Sequence, residues 1–388
     1  MIISRQIEAE IKNALRNFPV VIITGARQTG KTTVAKQVVQ KPYYNLESPD
    51  TRELAINDPR TFLNKIKDTG AIIDEFQRAP DLASYIQEIV DKKGENGMFL
   101  LTGSNNFLLM EKVSQSLAGR AAILKLMPFS YPEIQHFYPQ INTDELIYKG
   151  FYPAIHSKNL NPTKTYSYYY QTYIERDVRQ LINVKDINLF QRFMKLCAGR
   201  TGQLLNYDQL AGETGVSNKV VKNWISVLEA SYILHLLPPY FENIKKRIIK
   251  SPKLYFYDVG FAAYLLNIEN VSHVETHPLR GQLFENIVIN EYLKYRYNIG
   301  MEANAFFYRD NHKNEVDLLV QTGNKLGLIE IKSAATYHTN FRKNVDWLEK
   351  QIIDKEVNKT IVYDGEQEWE SDELAIINFR SFARKIYR

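Results

Sequence analysis

The 388 residues contain a single cysteine, Cys197. No internal disulfide can form, so a disulfide-stapled scaffold is excluded. No apolar run reaches the length a membrane-spanning helix needs. The first eighteen residues, MIISRQIEAEIKNALRNF, are charged and lack the apolar centre of a secretory leader. Together these absences predict a cytoplasmic protein with no membrane partner. Internal repeats, low-complexity tracts and long flexible linkers are also missing. Neither sign of charge dominates: 49 Lys and Arg stand against 44 Asp and Glu, a net charge of +5. That balance permits a nucleic-acid partner without demanding one.

The composition itself is that of a soluble globular chain, with 44% hydrophobic and 24% charged residues. The length predicts two or three domains. The 25 tyrosines are many for this length. Most are expected half-buried, some stacked on a ligand.

Residues 1–18 read as an amphipathic helix, with Ile3, Ile7, Ile11 and Leu15 at helical spacing. A short apolar run, 19–23, enters a glycine loop and reads as a buried strand. Further strands are expected at 43–46, 71–74, 98–101 and 121–126, most of them separated by helical stretches. That alternation predicts a parallel α/β sheet. Residues 161–195 read as helical and tyrosine-rich. From 203 to 257 two short helices, 207–213 and 217–229, flank the turn Thr214-Gly215-Val216. Strands at 233–237 and 254–257 bracket a basic stretch, FENIKKRIIKSPK. Helix, turn, helix and hairpin form the outline of a winged helix. After 276 come a helix around Glu285, strands at 305–308, 316–320 and 326–331, a helix at 341–349 and a strand at 360–363. The expected domains are 1–160, 161–275 and 276–388.

Residues 25–33 read GARQTGKTT, with Gly25, Gly30, Lys31 and Thr32 at GxxxxGK[ST] spacing. Glycines let the backbone curl until its N–H groups face an anion, and the following helix adds its positive end. The whole loop, including Ala26, Arg27, Gln28, Thr29 and Thr33, is therefore a candidate phosphate cradle. Lys31 is placed to reach the β- and γ-phosphates of ATP, and the Thr32 hydroxyl to bind Mg²⁺. About forty residues on, the apolar run Ala71-Ile72-Ile73 delivers Asp74 and Glu75. Asp74 suits Mg²⁺ binding, and Glu75 suits polarising the attacking water. At the next strand end, Ser104 and Asn105, with Thr102 as a third choice, are candidates to contact the γ-phosphate or the water. A plain turn is the equal alternative for each.

Near the C-terminus, Glu315-Val316-Asp317 is followed by Glu330-Ile331-Lys332. Residues 330 and 332 share one face of a strand. Asp317 and Glu330 can flank one Mg²⁺, with Lys332 beside it to position water or stabilise a phosphorane. In the helix-turn-helix block, Ser217 reads as an N-cap, with Asn218, Lys219 and Lys222 in the first turns. Lys245, Lys246, Arg247 and Lys250 would sit on the wing.

Two resemblances follow from these residues. The chain resembles the prokaryotic AAA-type ATPases with a GxRQxGKTT loop and a C-terminal region of poorly understood function. The resemblance is carried by GARQTGKTT, YYNLESPDTRELAINDP (43–59), IIDEFQRAP (72–80), LLTGSNN, LAGRAAILKLMPFS (117–130), YIERDVRQL (173–181) and LFENIVINEY (283–292). It implies an additional-strand ATPase sheet. It also implies a nucleotide-site role for Arg120, as charge sensor or as an arginine finger given to a neighbouring copy; a structural ion pair is the alternative. Arg176 and Asp177, adjacent on one helix, are expected to face different partners. The Asp317–Glu330–Lys332 pattern resembles the PD-(D/E)xK restriction-endonuclease-like core, without the proline. That resemblance implies a third carboxylate from the preceding helix, and Glu285 fits. The expected function is Mg²⁺-dependent ATP hydrolysis coupled to nucleic-acid binding or cleavage, with DNA and a homo-oligomer as candidate partners. The alternative is a slow ATPase switch carrying a non-cutting platform.

Overall fold

A computed structural model describes residues 3–104, 115–172, 186–240 and 250–386. The chain divides into two compact units. One comprises Met1–Phe129 with Ala230–Tyr232 and Arg296–Glu302; the other comprises Ser130–Glu229, Ile233–Tyr295 and Ala303–Arg388.

The first unit is built on five parallel strands: β1 (Val20–Thr24), β2 (Tyr43–Asn45), β3 (Ala71–Asp74), β4 (Phe99–Thr102) and β5 (Ala121–Lys125). Their order is β2-β3-β4-β1-β5. An additional strand, β4, therefore lies between the strand that enters the glycine loop and the one that ends at Asp74. Each residue of β1 is buried. Its two-residue period divides it between two cores. Val20 and Ile22 pack with Phe62, Leu63, Ile86 and Leu101. Val21 and Ile23 pack with Ile7, Ile11, Val34 and Leu126. Covering both faces with helices is what makes an all-apolar parallel strand stable. The first helix, Glu8–Asn17, is shorter than the expected 1–18, and it seats Ile11 and Ala14 against the sheet.

In the second unit the last three described helices before a small sheet form one group. Ile187–Ala198, Tyr207–Thr214 and Asn218–Ala230 pack around Trp224, whose ring meets Phe190 and Phe193 at 5.3 and 5.0 Å. Gly215 turns the chain at φ +86°. The Ser217 Oγ accepts from the Val220 N–H at 3.3 Å, as an N-cap does. Strands β6 (Leu234–Leu237) and β7 (Lys253–Phe256) pair antiparallel. The expected helix over 161–195 is described as Pro162–Tyr169 and Ile187–Ala198. Residues 173–185, with Arg176 and Asp177, lie outside the described residues. So do 241–249, with Lys245, Lys246 and Arg247, and so does Asn105.

The same unit carries a six-stranded sheet in the order β12-β13-β11-β10-β9-β8. Its strands are β8 (Ala305–Arg309), β9 (Glu315–Thr322), β10 (Lys325–Lys332), β11 (Glu356–Tyr363), β12 (Trp369–Glu370) and β13 (Leu374–Asn378). β8, β9 and β10 run antiparallel; β10, β11 and β13 are parallel. Gly323 and Asn324 close the β9–β10 hairpin, with Gly323 at φ +58°. β12, β13 and the helix Phe379–Lys385 lie beyond the expected elements. The long helix Arg280–Asn298 buries polar residues instead of a plain apolar stripe. The Asn286 side chain accepts from Phe256 N–H at 2.9 Å and donates to Phe256 C=O at 2.8 Å. Asn290 donates to the carbonyls of Phe256 and Tyr257. These amides complete the backbone bonding of β7, which its one partner strand leaves unfinished.

His235, on β6, is buried beside the rings of Tyr255 and Tyr257. Its Nε2–H donates to Asn290 Oδ1 at 3.0 Å, so Nδ1 carries no proton. Burial pushes its pKa down to about 4, and His156 likewise to about 4. Unfolding returns both to about 6.5. The unfolded chain thus binds more protons between those values, and stability falls as pH drops from about 6.5 towards 4. Each ring contributes on the order of 2–3 kcal/mol to that acid loss. Urea melts at pH 7 and pH 5 check this: His235→Gln, which keeps a donor for Asn290, should show a smaller difference between the two than the parent.

Candidate functional site

The glycine loop follows β1. Gly25 sits at φ +143°, and a Cβ there would strike the Leu126 carbonyl oxygen. Gly30, at φ +92°, caps the helix Lys31–Val38. Both positions require glycine. Lys31 is buried and its ammonium donates to the Gly25 and Ala26 carbonyls at 2.9 and 2.7 Å. Burial lowers its pKa to about 8, against the pull of Glu75 and Asp74. The loop's outer side is open: Gln28 and Thr33 are exposed, and Arg27 is half-buried. Ala26 and Thr29 are buried, and the Thr29 hydroxyl donates to the Ala26 carbonyl at 2.9 Å.

Asp74 is the hub of the site. Its Oδ2 accepts from the Thr32 hydroxyl at 2.8 Å and from Tyr43 OH at 2.7 Å, and its Oδ1 accepts from the Thr102 hydroxyl. Thr32 and Asp74 supply hard oxygens side by side, the donor chemistry that Mg²⁺ takes. Thr102, a candidate phosphate contact, instead orients this carboxylate. Tyr43 was not among the candidates. It reaches Asp74 because β2 pairs with β3, a neighbour relation that local pattern does not encode. Burial and the bond to Asp74 raise its pKa, and Lys36 sits 3.5 Å over its ring.

Glu75 follows at φ +57°. Its Oε2 accepts from Gln77 Nε2 at 2.6 Å, and the same amide lies 3.4 Å from Ser104 Oγ. Gln77 Oε1 is buried with no hydrogen-bond partner among the described residues. Gln77 is thus a second residue that the sequence reading missed. It stands two positions past Glu75, on a 3-10 turn spanning Phe76–Arg78. Arg5 is a third. Its guanidinium donates to the carbonyls of Thr29 and Met127 at 2.7 and 2.8 Å, bracing the loop from behind.

Arg120 is not brought to this loop. It immediately precedes β5, and its carbonyl pairs with the start of β1. In a parallel sheet that is the edge opposite the loop. Five residues at about 3.3 Å each separate the two ends by roughly 16 Å. The guanidinium is engaged instead by Asp91, at 2.5 and 2.8 Å. The expectation that Arg120 contacts the nucleotide of its own chain is therefore corrected.

The second cluster lies in the other unit. Glu285 from the long helix, Asp317 from β9, and Glu330 and Lys332 from β10 do converge. Lys332 Nζ lies 2.6 Å from Glu330 Oε1 and 3.9 Å from Asp317 Oδ2. The Ile331 N–H donates to Asp317 Oδ2 at 2.9 Å, and Asn344 donates to Glu330 at 3.4 Å. Burial pushes Glu285 up to about 7 and Glu330 up to about 8. Glu285, Asp317 and Glu330 are the carboxylates expected to hold Mg²⁺. Among the described residues, no three His, Cys, Asp or Glu side chains are grouped so as to hold a metal ion. Lys253, whose side chain is 2% exposed, stands among these carboxylates. Its ammonium lies 2.9 Å from Glu285, 2.5 Å from Glu315 and 3.7 Å from Asp317. Tyr255 also donates to Glu285. Lys253 closes the basic stretch FENIKKRIIKSPK. Only its pairing in β7, in phase with Tyr255, turns it inward.

Comparison with known proteins agrees with the first site. Residues 17–135 match the family model described as AAA domain. Residues 140–272 and 280–382 match two described as domains of unknown function, DUF8612 and DUF4143. The uncharacterized proteins Mb2031c of Mycobacterium bovis and Rv2008c of Mycobacterium tuberculosis are each 30% identical over 340 residues, 86% of this chain and 74% of theirs. An uncharacterized protein of Haemophilus influenzae is 20% identical over 311 residues, 72% of this chain and 75% of its own. Among solved structures, the Walker-type ATPase PABY2304 of Pyrococcus abyssi has a TM-score of 0.42 at 14% identity, covering 68% of this chain and 96% of that one. The chain belongs to the family of the two mycobacterial proteins, and its N-terminal third is a AAA domain of the P-loop ATPase class.

Proposed function

We propose that this protein hydrolyses ATP with Mg²⁺ and uses the nucleotide state to govern nucleic-acid binding. The observation that carries the reading is Asp74. It is bonded to the Thr32 hydroxyl and followed directly by Glu75, beside a loop whose lysine is buried against its own carbonyls. The loop N–H groups and Lys31 bind the β- and γ-phosphates. Thr32 and Asp74 would hold Mg²⁺, which would supply neutralisation of the phosphate charge. Glu75 orients and polarises the attacking water, and Gln77 positions Glu75. Ser104 is the γ-phosphate contact within the described residues. An arginine finger for a neighbouring copy in a homo-oligomer is the nucleotide-site role left to Arg120, and it requires the Asp91 pair to open. The single cysteine fits a cytoplasmic setting, and no helix among the described residues is long and apolar enough to cross a membrane.

The nucleic-acid part rests on the helix Asn218–Ala230 read as the recognition helix of a winged helix. Val221, Trp224, Ile225 and Leu228 are buried on one side. Ser217, Lys219, Lys222, Asn223 and Ser226 are exposed on the other, and Lys250 is exposed shortly before β7. That division offers cations and hydrogen-bonding groups to a groove. Phosphate release measured with and without duplex DNA tests the coupling; stimulation by duplex is expected. Lys219→Glu with Lys222→Glu should weaken duplex binding roughly tenfold and reduce the salt slope by about 2. Unchanged binding by that variant would remove this helix as the DNA-reading surface and leave the ATPase reading standing.

A further inference from the structure

We infer that Lys253 is the resident cation of the Glu285–Asp317–Glu330 cluster, which is complete without a divalent metal and does not cut phosphodiesters. Three carboxylates from two elements face the Lys253 ammonium: Glu285 from the helix, and Glu315 and Asp317 from β9. A divalent ion held by Glu285 and Asp317 would need their oxygens at about 2.0–2.6 Å. Those oxygens already point at Nζ, and two cations cannot share so small a space without strong repulsion.

Most of the remaining bonding capacity is also assigned. Glu285 accepts from Tyr255, Glu315 pairs with Arg309 at 2.7 Å, and Asp317 accepts from the Ile331 N–H. Glu330 takes Lys332 and Asn344 on one oxygen. Its other oxygen is buried with no hydrogen-bond partner among the described residues, and one oxygen alone does not hold an ion. In charge, Lys253, Arg309 and Lys332 stand against Glu285, Glu315, Asp317 and Glu330, three cations to four carboxylates. Little negative charge is left to attract a divalent ion.

Lys253 is not a swinging arm. β7 pairs with β6 residue by residue from Lys253 to Phe256. The Phe256 backbone is held on both its N–H and C=O by Asn286, one position past Glu285 on the same helix. The lysine is therefore built into the joint between the β6–β7 hairpin and the six-stranded sheet. The cluster then works as an ion-paired lock within this unit, and any nucleic-acid contact made here is binding without cleavage.

The test uses the full chain without nucleotide. Mn²⁺ binding is followed by electron paramagnetic resonance, and plasmid nicking is assayed in Mg²⁺ and in Mn²⁺. The parent and Asp317→Asn should bind Mn²⁺ alike, and neither should nick. Lys253→Met, which keeps the length and loses the charge, should gain one Mn²⁺ per chain, bound at least tenfold more tightly than any site in the parent. Adding Asp317→Asn should abolish that gain. Mn²⁺ binding or nicking by the parent that Asp317→Asn removes would overturn the inference, as would a folded Lys253→Met that gains no site. Should Lys253→Met fail to fold, the comparison of parent with Asp317→Asn decides alone.

Discussion

Lys31→Ala is expected to lower ATP turnover by about 10²–10³-fold, the usual cost of deleting one preorganised charge partner of a transition state. The reason lies in how the site is assembled. In the loop the ammonium is satisfied by the Gly25 and Ala26 carbonyls. It is buried there at a cost, visible in its lowered pKa. A triphosphate supplies the negative charge that those neutral carbonyls do not. Alanine removes that gain for the transferring phosphoryl group, while the Thr32–Asp74 pair stays in place. Glu75→Gln separates binding from chemistry. It should leave nucleotide affinity within a few fold and still stop hydrolysis, because the amide cannot polarise water as the carboxylate does. Phosphate release and equilibrium binding of a fluorescent ATP analogue distinguish the two. Unchanged turnover in Lys31→Ala would dismiss the ATPase assignment.

The second large effect is on stability. Lys253→Met should destabilise the second unit by about 3–5 kcal/mol, the range for removing one partner of a buried ion pair. The magnitude is set by what remains. Glu285, Glu315 and Asp317 would face one another without their shared cation, in a place that water barely reaches. Packing alone would lose little, since methionine fills a similar volume. The destabilisation should shrink as pH falls, because protons can then take over part of the cation's role. Thermal melts in chelator at pH 8 and pH 5.5 measure this. A companion Glu285→Gln change should restore part of the loss by removing one uncompensated charge. A melt indistinguishable from the parent at pH 8 would mean that the ammonium contributes nothing.

Much of the first site was legible before any fold was known. The loop 25–33 declares itself because its chemistry is local: glycines at fixed offsets, then a helix start. Asp74 and Glu75 were legible for a similar reason, as an apolar run must end where its polar residues begin. The strands of the sheet emerged within a residue or two, since buried parallel strands read as short apolar runs. Asp317, Glu330 and Lys332 do meet, as their two-residue spacing and the Gly323 turn implied.

The residues that escaped belong to a different physical category. Tyr43 touches Asp74 only because β2 lies beside β3. Arg120 sits away from the loop only because a parallel sheet places the start of β5 at the opposite edge. Lys253 lay in a run of basic residues, where solvation is the ordinary expectation. Its pairing in β7 drove it among three carboxylates more than thirty positions away in sequence. The sequence alone therefore determined what the loop binds, because a phosphate cradle is made by consecutive residues. Only the tertiary structure decided what surrounds Asp317. Whether acidic side chains face a metal or a lysine depends on which distant strand the fold packs against them, and that is a property of no local pattern.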